Sequence, residues 1–102
     1  MDEASIGDSY DTELRRVVDR LRSLPIGKVQ ASQPIVESLA SQLLECSRAL
    51  GSTAPATLPS LNSWAYGDLI SVLGSDLRAE SSTEQDLAVG LAALTAARRE
   101  LP

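Results

Sequence analysis

Apolar residues recur at helical spacing along most of this chain, and this periodicity constrains the fold more than any other feature. Five apolar side chains between Leu14 and Leu24 fall within an arc of about 120° when the residues are placed 100° apart. Later segments show broader arcs of the same kind, and none alternates apolar and polar residues with a period of two. Because 102 residues have room for one domain, we expect an all-α fold around one core.

Start and stop signals predict four helices. A Pro25/Gly27 pair ends the first helix, and Pro34 suits the first turn of the second. The fourth helix is predicted to begin with two overlapping capping boxes, Ser81-x-x-Glu84 and Ser82-x-x-Gln85. The predicted ranges are residues 12–24, 33–50, 61–78 and 83–100.

The connections between these helices are short, which favours a single-domain antiparallel four-helix bundle of up-down-up-down topology. We expect the bundle to occupy residues 11–102, with Asp11 as the first N-cap. Residues 1–10 mix acidic, small and polar types, and they are predicted to form a flexible leader.

The composition excludes several classes of site. The chain has no histidine, so it can build neither a Ser-His-Asp triad nor an HExxH zinc site. Cys46 is the only cysteine and can form neither an internal disulfide nor a thiolate metal cage. Phosphate-binding and dinucleotide-binding glycine motifs are absent. The sequence therefore predicts no catalytic residue, no metal and no cofactor, and a protein that is not an enzyme.

Charge and hydropathy limit the partners and the cellular location that we expect for the protein. The formal charge of −5 disfavours nucleic acid and anionic membranes, and the arginines of the first helix alternate with acidic residues that can pair with them. No signal-peptide pattern and no apolar run of membrane-spanning length occurs. A lone cysteine favours the cytoplasm. Eight arginines among nine basic residues, with 29 alanines and leucines, indicate a bacterial source.

Rows of small residues mark the third and fourth predicted helices. Such rows let two helix axes approach closer than the usual spacing of about 8–10 Å. Two interpretations are open: the rows pack these two helices together, or they meet the same rows of a second copy across a two-fold axis. The rows are Gly67, Ser71 and Gly74 in the third helix, and Gly90, Ala93 and Ala97 in the fourth.

Trp64 projects beside the glycine row, away from the apolar arc of the third helix. A large aromatic residue there lies either under the 52–60 connection or in an interface, where Trp is enriched. Asp76 points into the apolar arc, so we expect a structural ion pair with Arg22 or Lys28. A ligand-binding role for Asp76, together with Tyr66, is the alternative.

These patterns predict a small acidic helical protein that acts by protein–protein interaction. The expected partner is a second copy, giving a homodimer through the third and fourth helices, or another helical protein. The predicted interface consists of Trp64, Gly67, Ser71, Gly74, Gly90, Ala93 and Ala97. The alternative hypothesis is a small-molecule-binding helical bundle whose pocket lies near Asp76 and Tyr66.

Overall fold

The computed structural model describes residues 5–51 and 62–102, which form five α-helices and no strand. The predicted all-α bundle is therefore confirmed for the described residues. The helices are α1 (Ile6–Ser23), α2 (Ile26–Ala31), α3 (Gln33–Ala49), α4 (Tyr66–Glu80) and α5 (Glu84–Glu100), and a 3₁₀ turn (Ser63–Ala65) precedes α4.

The first helix begins earlier than the sequence predicted. Ser5, not Asp11, is the N-cap, and its hydroxyl accepts a hydrogen bond of 3.0 Å from the Asp8 amide. The chain is helical from Ile6, so the flexible leader predicted for residues 1–10 is wrong over this part; residues 1–4 lie outside the described residues. Burial of the Tyr10 ring explains the difference, because it fixes this first part of the helix in the core.

Pro25 ends α1 as predicted, but a short helix that the sequence did not predict follows at once. Pro25 is the residue before α2, where its missing N–H and fixed φ are compatible with a helix start. Val29 anchors α2 in the core. The Ser32 hydroxyl then donates to the Lys28 carbonyl oxygen at 2.8 Å, where α2 gives way to α3.

The last helix starts with a capping box different from the two predicted. Thr83 is the N-cap, and its hydroxyl accepts from the Asp86 amide at 3.3 Å. The Asp86 carboxylate accepts from the amides of Thr83 and Ser82 at 3.1 and 3.0 Å. The Ser81 hydroxyl donates instead to the Leu77 carbonyl oxygen of α4, so it is not available to cap α5.

Side-chain contacts define the helix directions. Arg22, near the end of α1, meets Asp68 at the start of α4, and Asp11 meets Arg78 at the other end, so α1 and α4 are antiparallel. The Tyr10 ring lies beside Gly90, and Arg20 donates to the Pro102 main-chain oxygen at 2.6 Å, so α1 and α5 are parallel.

These directions differ from the predicted up-down-up-down order, in which the first and third long helices run parallel. An up-down-up-down order is expected when short connections join consecutive helices. Here α2 lies between α1 and α3, and residues 50–62 separate α3 from α4 along the chain. Connections of this length do not force consecutive helices to be antiparallel neighbours. In the structure α1 and α3 each pack against both α4 and α5.

The small-residue row of α4 packs against α1. One of the two interpretations above placed this row mainly against the last helix, which is α5 in the structure. The Arg22 side chain lies over Gly67, and Leu14 lies over Gly74. The Tyr10 hydroxyl donates to the Gly74 carbonyl oxygen at 2.7 Å. In α5, Gly90 faces both Tyr10 and Leu77 of α4. The glycines therefore let α1 lie close to α4 and α5.

A candidate protein-interaction surface

One side of α4 and of the turn before it faces solvent. It carries Trp64 and then, at steps of four residues, Asp68, Val72, Asp76 and Glu80, all of them exposed. Trp64 is 73% exposed and Val72 is 57% exposed. Each step of four residues advances about 40° around a helix, so these side chains form a stripe that winds by about 160° across the solvent side, with apolar and acidic groups alternating along it. We call this stripe the α4 outer surface.

The exposure of this stripe follows from the packing of α1. The sequence predicts one broad buried side for the third helix and treats the glycine row as a separate side. The predicted buried residues are Leu61, Ala65, Tyr66, Leu69, Ile70, Val72, Leu73 and Leu77. In the structure the buried residues of α4 include Gly67 and Gly74 together with Ile70 and Leu77. The buried side is thus rotated toward the glycines, and Val72 and Asp76 are left in solvent.

The 3₁₀ turn holds Trp64 at one end of the stripe. Asn62 precedes the turn in an extended conformation, and the Ala65 amide donates to the Asn62 carbonyl oxygen at 2.9 Å. Helix α2 contacts this turn and carries Ile26, which is 59% exposed. Two exposed apolar side chains therefore lie on neighbouring elements. Residues 52–61 lie outside the described residues, so the prediction that the 52–60 connection covers Trp64 is untested.

The structure separates the seven predicted interface residues into buried, half-buried and exposed groups. The three glycines and the two alanines are buried within the single chain, and Ser71 is half-buried between α1 and α4. Trp64 alone among the seven is fully on the surface. The five buried residues are not accessible to a second copy in this fold, so of the seven predicted interface residues Trp64 is the most available to a partner.

The expected buried ion pair of Asp76 is wrong. Asp76 is exposed, and Arg22 pairs instead with Asp68 at 2.6 Å. Tyr66 is buried at the start of α4, ten residues before Asp76, which corresponds to about 15 Å along the helix axis. The two side chains therefore do not share a pocket. The rotation of α4 toward α1 accounts for both differences.

The α4 outer surface is acidic. Asp68 has its Arg22 partner on α1, and both side chains of that pair are more than half exposed. Within residues 5–51 and 62–102, neither Asp76 nor Glu80 has a cationic group within 4 Å. Val72, Asp68 and Glu80 are not among the predicted site residues. Their positions at multiples of four residues from Trp64 are a signal present in the sequence.

A second polar feature lies between α1 and α5. Arg98 donates two hydrogen bonds, of 2.5 and 3.2 Å, to the carboxylate of Glu13, whose side chain is only 13% exposed. Beside this pair is an open groove of about 420 Å³, whose lining includes Ser9, Thr12 and Thr95. The pair joins the two helices.

The Cys46 thiol and the Tyr10 hydroxyl are both disfavoured from losing their protons. Cys46 is half-buried, and burial, together with the neighbouring Glu45 charge, raises the pKa of its thiol, which disfavours the nucleophilic thiolate. Burial likewise raises the pKa of Tyr10, whose hydroxyl is already bonded to Gly74. Among the described residues, no three acidic or cysteine side chains lie close enough to hold a metal ion.

None of the helices in the described part of the chain combines the length and the apolar character needed to cross a membrane. Comparison of the chain with protein-family models, with curated proteins and with solved structures finds no match.

Proposed function

We propose that the protein acts by binding another protein chain through the α4 outer surface, with Trp64 as the anchor residue. The observation that carries this proposal is the 73% exposure of the only tryptophan in the chain. Trp is enriched among the residues that contribute most to binding energy at protein interfaces. Its rigid ring brings a large contact area at a small loss of conformational entropy.

Two neighbouring apolar groups support the same proposal. Val72 lies on the same side of α4, and Ile26 lies on the helix that contacts the 3₁₀ turn. A partner that covers Trp64 can therefore remove further apolar area from water, at about 25 cal/mol for each Å². The proposed partner is a protein chain, either another helical protein or a second copy. The proposed location is the cytoplasm, because a lone cysteine provides no disulfide framework.

The test compares partners captured by three versions of the full chain in its native cells. Trp64→Ala removes the anchor, whereas Val89→Ala removes a similarly exposed apolar side chain from α5, where Val89 is 63% exposed. We expect a partner that is retained by wild type and Val89→Ala and is lost with Trp64→Ala, while circular dichroism of all three remains the same. Capture of the same partners by all three chains contradicts the proposal.

A further inference from the structure

We draw no further inference here: the strongest candidate, the open groove between α1 and α5 beside Ser9, Thr12 and Thr95, carries none, because its mostly buried carboxylate, that of Glu13, is already paired with Arg98 and nothing in the structure shows what would occupy the groove.

Discussion

Tyr10 and two glycines join three helices at one point. The Tyr10 hydroxyl donates to the Gly74 carbonyl oxygen of α4, and the Tyr10 ring lies against Gly90 of α5. A Cβ on Gly90 would lie 2.8 Å from the Leu77 Cδ2 atom and 3.0 Å from the Tyr10 Cε2 atom. The sequence identified both glycines as positions of close approach. It did not identify Tyr10 as the residue that they accommodate, because Tyr10 was placed in the leader.

Gly90→Ala should destabilise the protein. Alanine raises helix propensity by about 1 kcal/mol, but overpacking of a filled core costs about 1–3 kcal/mol, and the buried Tyr10 ring has little room to move. We expect a net loss of about 1–2 kcal/mol in the free energy of unfolding, measured by urea denaturation. Gly27→Ala is the matched control, because no atom lies within 4 Å of its Cβ position, and it should stabilise α2 by up to about 1 kcal/mol. Equal effects at both positions would contradict this account of Gly90.

The Asp86 carboxylate gives the start of α5 a dependence on pH. Hydrogen bonds from the Ser82 and Thr83 amides lower the pKa of Asp86 below its ordinary value of 3.8. A carboxylate whose pKa is lower in the folded state stabilises that state at any pH above the ordinary value. The stabilisation is lost as the pH falls through the folded-state pKa. We therefore expect the difference in stability between wild type and Asp86→Asn to be constant from pH 5 to 7 and to shrink below about pH 4. A difference that grows on acidification would contradict the assignment.

At the scale of the helices, the sequence predicted the four long helices and their approximate ends, because apolar periodicity and punctuation by proline and glycine are local signals. The short helix α2 was missed, because six residues are too few to show a period. The rotation of α4 was also missed. An apolar arc wider than the buried side does not indicate which part of it is covered, and contact with α1 decides that.

The cap of α5 can be located by substitution. Thr83→Ala removes the hydroxyl that accepts from the Asp86 amide and should cost about 1 kcal/mol of stability. Ser82→Ala should cost less, because the Ser82 hydroxyl makes only a 3.3 Å contact with the Asp86 carboxylate. Thermal unfolding followed by circular dichroism measures both. If Ser82→Ala is the more harmful change, the box predicted from Ser82 and Gln85 is the correct one.

Across the whole molecule, α1 forms side-chain ion pairs with both α4 and α5. Its ion pairs reach α4 through Arg22–Asp68 and Asp11–Arg78, and they reach α5 through Glu13–Arg98. These pairs lie 46 to 85 residues apart in sequence, so local patterns could not predict them. The candidate site was predictable only at Trp64, since the burial of the small-residue rows depends on the position of α1.

The ion pairs should differ in their contribution to stability. Glu13 is mostly buried, so Glu13→Gln leaves the Arg98 guanidinium without its carboxylate partner and should cost about 1–2 kcal/mol. Asp68→Asn removes an exposed pair, and solvent screening limits its cost to less than about 1 kcal/mol. Urea denaturation in low and high salt distinguishes the two pairs. Only the Asp68 variant should approach wild-type stability in high salt, and the reverse order would contradict the burial assigned to Glu13.

The central claim is that a protein partner covers Trp64 in the cell, and site-specific photo-crosslinking tests it most directly. A photoreactive phenylalanine derivative is placed at position 64 of the full chain, and separately at position 89 on α5, which is similarly exposed. The account predicts a discrete protein adduct from position 64 that is heavier than the 10.8 kDa chain alone, and no such adduct from position 89. Absence of an adduct at position 64, or the same adduct from both positions, would contradict it.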